Sequence, residues 1–258
     1  MQRRRRVLLH VALTAFVILV AAACDGDGDE PGSRTSAGPS ASSAPVAVGP
    51  LPCPDQEDTV TDPAAREGGS LSADVDDDGV SDEIFLVVDE GGPEGCRVFL
   101  VGELADGVHP LPLDHELLTL EGARPRLVMV GQIDGTGGAD VVVMLHAGAS
   151  TEFEGVFAFD RGRWMQRGTK GSEAGDLFPY GGSVTHLEAS DCGRPGTIVV
   201  TSAFTQGDRY VVEERAFVFN GRDFVLDPSS KDVSEVGLEE IDSVEAFSTP
   251  PFGSCRPA

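Results

Sequence analysis

The feature that most constrains this chain is an acidic, glycine-bearing turn that occurs three times, each time running straight into a short apolar stretch. The first copy is Asp74-Val-Asp76-Asp-Asp78-Gly79-Val-Ser-Asp82, followed by Glu-Ile-Phe-Leu-Val-Val88. The second is Gln132-Ile-Asp134-Gly-Thr136-Gly137-Gly-Ala-Asp140, followed by Val-Val-Val-Met-Leu145. The third, Glu188-Ala-Ser190-Asp-Cys192-Gly193-Arg-Pro-Gly196 and then Thr-Ile-Val-Val200, keeps the glycine and the apolar run but has lost most of the acids. The offsets are 58 and then 56 residues. A period of this length marks one supersecondary unit used repeatedly, because a single unit cannot bury its own apolar face. Each turn follows an alternating segment (residues 71–75, 127–133 and 184–187) and precedes a hairpin signature: Asp106-Gly107, Asp160-Arg161-Gly162 or Asn220-Gly221. Asp-Gly and Asn-Gly between apolar runs favour tight hairpins because both positions tolerate positive φ. Four short strands per unit follow, over about residues 71–113, 127–169 and 183–229. The apolar residues are β-branched or aromatic at period two, and outside the leader only the acidic stretch 233–244 hints at a helical period. The expected fold is all-β, one domain from residue 51 to residue 258.

These acidic turns joined to four-stranded units resemble FG-GAP/VCBS repeats, the blades of integrin-like β-propellers, over about residues 71–228. The resemblance implies radially packed blades with calcium held in the DxDxDG loop. Closed propellers have about four to eight blades, and three are counted here, so a closed, an open and a prism-like arrangement all stay possible. In the first loop Asp74, Asp76, Asp78 and Asp82 take positions 1, 3, 5 and 9, with Gly79 allowing the sharp turn. By resemblance these four are calcium ligands, joined by the backbone carbonyl of Val80; a converging set of hard oxygens suits Ca²⁺. Asp77 is expected to face solvent. An EF-hand would need a bidentate Glu at position 12, where this chain has Phe85, and would continue as a helix. The second loop retains Asp134 and Asp140 but has Gln132 and Thr136 elsewhere, so weak binding or none is expected. A phosphatase reading of Asp134-Gly-Thr136 fails because Gln132 stands at the nucleophile's place. Ser190, Cys192 and Gly196 leave the third loop a structural turn.

The N-terminus supplies an address. Arg3 to Arg6 precede a 14-residue apolar stretch, Val7 to Val20, then Ala21-Ala22-Ala23-Cys24 and an abrupt acidic run. That order of charge, apolar segment, small residues and polar stop is a secretory signal, and the stretch is short for a spanning helix. The small residues ending in Cys24 resemble the lipobox of bacterial lipoproteins, with Ala21 where Leu is commoner; the resemblance implies cleavage after residue 23 and a lipidated Cys24. An uncleaved anchor is the alternative reading. Residues 24–50 carry Asp, Gly, Ser, Ala and Pro without aromatics, which cannot offset the entropy of ordering. They read as a tether, with an r.m.s. span of about 28 Å. Both readings place the domain on the extracytoplasmic face of the cell membrane.

Four further cysteines, Cys53, Cys96, Cys192 and Cys255, make an even number in an exported chain, which reads as two disulfides with three possible pairings. Cys53–Cys96 with Cys192–Cys255 is favoured, because these pairs staple the two ends of the domain. With the four leader arginines removed, 15 basic residues face 43 acidic ones, a charge of −28. Such a surface repels phosphate backbones, which excludes nucleic acid as a partner. GxSxG, HExxH and Ser or Cys placed with His are absent from the sequence, and His109, His115, His146 and His186 do not recur between units. Trp164 reads as a hairpin packing residue. The expected function is a membrane-tethered, calcium-stabilised module that binds an envelope or extracellular protein or polymer. The alternative is a hydrolase using clustered acids on a small propeller.

Overall fold

This computed structural model describes residue 53, residues 56–113 and residues 124–256. The leader, Cys24, the tether, Leu51 and His115 lie outside the described residues. The described chain is all-β, in two sheets of four and eleven strands. The first sheet is an antiparallel meander of β1 (Arg66–Ala73), β2 (Asp82–Val88), β3 (Val98–Leu104) and β4 (Gly107–Pro112). A second meander contains β5 (Arg126–Gly131), β6 (Asp140–Ala147), β7 (Thr151–Asp160) and β8 (Arg163–Arg167). The two-residue strand β9 (Thr169–Lys170) and then β10 (Phe178–Ser183) follow. A third meander contains β11 (His186–Cys192), β12 (Thr197–Gln206), β13 (Arg209–Phe219) and β14 (Phe224–Leu226), with β15 (Asp232–Gly237) beside it.

The second and third meanders are not separate sheets. β7 is 10 residues long; its second half pairs with β8 and its first half with β10, which continues to β11. β13, with 11 residues, likewise pairs with β14 at one end and β15 at the other. Both strands outrun their hairpin partners, and unpaired backbone groups next to a core are costly, so another strand takes them up. β9 adds to β14 in parallel.

The period-two pattern shows up as layers. On β2, Ile84 and Leu86 join a core shared with Val141, Val143 and Phe157 of the second meander, while Phe85 and Val87 face the opposite way. That outer face is closed by Val60 from α1 (Gln56–Val60) and by the Cys53–Cys96 disulfide. On β6, Val142 points away from Val141 and Val143, into a second core with Ile198, Phe217 and Phe224 of the third meander. β6 is therefore buried on both faces, which explains its unbroken Val-Val-Val-Met-Leu run. Phe178 lies at the heart of this second core, in edge-on contact with Phe217, Phe224 and Phe252. The outer face of the third meander is covered by Ile241, Val244 and Phe247 of the C-terminal segment. That segment also carries Cys255, paired with Cys192; the two disulfides have the connectivity favoured from sequence. The acidic stretch 233–244 begins as β15, a strand rather than a helix, because the free edge of β13 is there to pair with.

Candidate metal centre

The three turns stack on one another through backbone contacts. Ala139 N–H donates to the Asp74 carbonyl at 2.7 Å, and Gly196 N–H donates to the Ile133 carbonyl at 3.1 Å. Gly138 is required at the first junction, since a Cβ there would lie 2.3 Å from the Val75 carbonyl oxygen.

In the first turn the acids at loop positions 1, 3 and 5, Asp74, Asp76 and Asp78, converge. Asp77 (φ 62°) and Gly79 (φ 84°) take the left-handed conformation that folds the loop back on itself. Asp74 accepts the N–H groups of Asp78 (3.1 Å) and Gly79 (2.9 Å), and Asp78 accepts Val80 N–H at 2.7 Å. Asp74, Asp76 and Asp78 each bring one carboxylate oxygen into a group whose members lie within 4.8 Å of one another. Asp77 is exposed. Burial, followed by the charges of Asp78, Asp82 and Asp74, pushes the Asp76 carboxyl above its ordinary range. Asp82 stands apart from this trio: it is 3 % exposed and receives Val75 N–H at 2.9 Å. Its carboxyl is also raised, by burial and then by Asp78, Asp74 and Asp106. Val80, whose carbonyl is the expected fifth ligand, is exposed and donates its N–H to Asp78. Three convergent carboxylates with no nitrogen or sulfur donor fit a hard divalent cation.

The second turn keeps the scaffold and replaces the centre. Asp140 repeats the part of Asp82, accepting Ile133 N–H at 2.9 Å and Asp134 N–H at 2.7 Å. Asp134, register-equivalent to Asp76, is fully buried and holds the Arg167 guanidinium through Nε at 2.9 Å and Nη2 at 2.8 Å. Thr136 caps the other Asp134 oxygen with both its N–H and its hydroxyl, each at 2.7 Å. Burial, then the Asp134 charge, lifts the Asp140 carboxyl to about 7 against the opposing pull of two N–H groups and Arg167. Cross-strand register shows where the arginine comes from. Val142, two residues past Asp140, pairs with Val156, which pairs with Arg167. Ile84, two residues past Asp82, pairs with Gly102, which pairs with His109. His109 turns instead to Asp106, Nε2 to Oδ1 at 2.8 Å. Gln132 reaches the Gly137 carbonyl at 3.4 Å.

The third turn is shorter. Gly193 N–H already bonds the Thr197 carbonyl at 2.9 Å, so β11 runs on through the place where the acidic loop would open. Ser190 donates to the Pro179 carbonyl and Cys192 is in its disulfide, so neither offers a ligand. Trp164 is buried, with Nε1 on the His109 carbonyl at 2.8 Å; His146 is buried and stacked on Phe153.

The sequence reading missed Arg167, which lies 33 residues from its partner Asp134; only the register equivalence of the two hairpins connects them. It also missed a cleft of about 300 Å³ between the start of β7 and the face of β11–β13, where Glu188, Ser202 and Glu213 meet. Comparison with protein families, characterised proteins and solved structures returns no match.

Proposed function

We propose that this chain is a bacterial envelope lipoprotein, anchored through Cys24 on the extracytoplasmic face of the cell membrane. Its tethered β-repeat domain binds a protein or polymer partner, and one Ca²⁺ stabilises its first acidic turn. The domain is read as a propeller-like set of three FG-GAP/VCBS-type units layered one on the next. The observation that carries the calcium reading is the internal comparison of two turns. At register-equivalent places the second turn holds a buried guanidinium on Asp134, and the first gathers three carboxylates that, among the described residues, pair with no basic side chain. Asp74, Asp76 and Asp78 would hold the ion, with Asp82 bracing the loop from behind. Calcium supplies the positive charge that turns repulsion among the carboxylates into attraction. Because the Asp74 carbonyl holds Ala139 N–H, a stiffer first turn also fixes its junction with the second.

Binding is favoured over hydrolysis by the state of Glu213, a carboxylate that lines the cleft. In the cleft, the Lys231 ammonium and then the Arg215 guanidinium hold Glu213 below its ordinary range, which suits a hydrogen-bond acceptor and not a proton donor. Glu154, whose carboxyl burial raises to about 8, is fully buried and is not among the residues that line the cleft. Fractionation of cells tests the anchor: Cys24→Ser should move the protein from the membrane to the soluble extracytoplasmic fraction, and full membrane retention refutes lipidation. Calorimetric titration tests the metal: one Ca²⁺ should bind the wild type, and absence of heat at millimolar calcium refutes the site.

A further inference from the structure

The cleft beside the second core has a defined chemistry. It begins where that core ends, with Phe217 and Val200 belonging to both. Its floor is one face of three paired strands, so its side chains fall into rows set by register. Glu188 pairs with Ser202 and Ser202 with Glu213; one step along, His186 pairs with Phe204; one step back, Val200 pairs with Arg215. Thr151 and Phe153 of β7 and Pro179 of β10 form the opposite wall. Two strand spacings separate Glu188 from Glu213, on the order of 10 Å between backbones.

Each polar group in the row is already oriented. Glu188 accepts from the Ser202 hydroxyl at 2.6 Å with one oxygen and meets His186 Nε2 with the other. Glu213 bonds Arg215 Nε through one oxygen and Lys231 Nζ, at 2.6 Å, through the other. The Glu188 and Glu213 side chains are 11 % and 15 % exposed. Phe204, by contrast, is 47 % exposed, although its ring stacks on His186 with centroids 4.6 Å apart and planes 11° from parallel. An open aromatic face beside a few oriented acceptors and donors, on one side of a cleft, is the composition of a small-ligand site.

Charge narrows the ligand. An anion would face Glu173, Glu188 and Glu213. A cation would meet the Arg215 guanidinium, and the two carboxylates of the row that could attract it are already engaged, Glu213 by Arg215 and Lys231 and Glu188 by Ser202 and His186. A neutral ligand meets neither penalty. It must offer hydroxyls, because the carboxylate oxygens retain further lone pairs and Arg215 retains N–H groups beyond the one bound to Glu213. It must also present an apolar face to Phe204, Val200 and Phe153. Alternating hydroxyls with a C–H face describe a sugar ring.

We propose that this cleft binds a neutral saccharide, whose C–H face packs on Phe204 while Glu188, Ser202, Glu213 and Arg215 hold its hydroxyls. This rests on the reading of the chain as a binding module, and it narrows the partner from protein or polymer to glycan. The test is saturation-transfer NMR of the full chain with maltotriose, cellotriose and triacetylchitotriose as probes. At least one should receive saturation on its ring protons, and Phe204→Ala and Glu188→Gln should each weaken it tenfold or more. Phe204→Ala should leave the melting temperature unchanged, since that ring is half exposed. Absence of transfer to all three probes, or transfer that Phe204→Ala leaves intact, overturns the proposal. Salt-sensitive binding of trilysine at Glu188 in place of the sugars overturns it as well, in favour of a cationic ligand. Sedimentation with isolated cell envelopes separates the two levels. In a Cys24→Ser background, which removes the anchor, retention with and without Phe204→Ala refutes the cleft and keeps the binding-module reading, whereas failure of Cys24→Ser alone to sediment refutes that reading itself.

Discussion

Glu154 makes stability depend on pH in a direction that can be calculated. The residue is fully buried on β7 in the cross-strand row Arg126, Met144, Glu154, Phe178. Arg126 bonds Glu152 instead, and among the described residues neither oxygen of Glu154 meets a donor from another residue. Burial, then the Glu152 charge, raises its carboxyl to about 8 from 4.5. The native state therefore holds this proton more tightly than the unfolded chain does. The contribution is fully present below pH 4.5 and is lost as pH rises through 8, at about 1.4 kcal/mol per pH unit inside that window. Moving from pH 5 to pH 7.5 should cost about 3 kcal/mol from this group alone. In a domain of this size that is a fall of roughly 6–12 °C in melting temperature. Glu154→Gln keeps the shape of the neutral acid and cannot ionise. Urea denaturation of both proteins at the two pH values isolates the contribution of Glu154, because Asp140, whose carboxyl is raised to about 7, titrates in both. The variant should lose about 3 kcal/mol less than the wild type between the two conditions. Equal losses would mean that Glu154 is ionised in the native state, and the reasoning from its burial would be wrong.

Further outcomes follow from the turns. Millimolar calcium should raise the melting temperature of the wild type by the amount that native-state binding dictates, about 2.7 kcal/mol at a hundredfold excess over Kd. Asp76→Ala should abolish that increment, whereas Asp134→Ala should lower the baseline and keep it, as differential scanning calorimetry will register. Arg167→Met leaves Asp134 buried without its partner and should cost about 3–5 kcal/mol in urea denaturation; adding Asp134→Asn should recover much of it. If Arg167→Met alone is neutral, the pair is not the buried ion pair described here.

The legible part of this fold is the part written in local patterns. Ile84-Phe85-Leu86-Val87 and Val141-Val142-Val143 announce strands, and Asp-Gly and Asn-Gly announce hairpins, because strand pleat and turn conformation are decided within a few residues. The convergence of Asp74, Asp76 and Asp78 was readable for the same reason. What lies across strands was not. Arg167 reaches Asp134 only through two hairpin registers, and β10 joins the second and third meanders only because β7 outruns β8. The cleft row Glu188–Ser202–Glu213 is assembled from three strands whose alignment no single stretch of sequence specifies. Asp82 was legible as an acid of the loop but not as the acceptor of Val75 N–H, a part it shares with Asp140 in a turn whose centre holds an arginine.

The three stacked turns meet the same difficulty, an open loop at a junction between layers, by three different means. The first gathers carboxylates suited to a cation, the second buries a guanidinium on Asp134, and the third shortens its loop and ties Cys192 to Cys255 across 63 residues of chain. That crosslink is worth about 4 kcal/mol by loop-closure entropy. The second turn lies between the other two, through the Asp74–Ala139 and Ile133–Gly196 backbone bonds. The proposed calcium site at the first turn and the disulfide at the third therefore share no residue, and contributions from sites without shared partners add to within about 0.5 kcal/mol. The Cys192→Ser, Cys255→Ser double variant should thus lose about 4 kcal/mol whether calcium or EDTA is present, and calcium should stabilise it by the same increment as the wild type. Urea titrations of both proteins in both conditions close this cycle. A coupling well above 1 kcal/mol would show that the second turn transmits strain from one neighbour to the other, and the picture of three independently secured turns would fail.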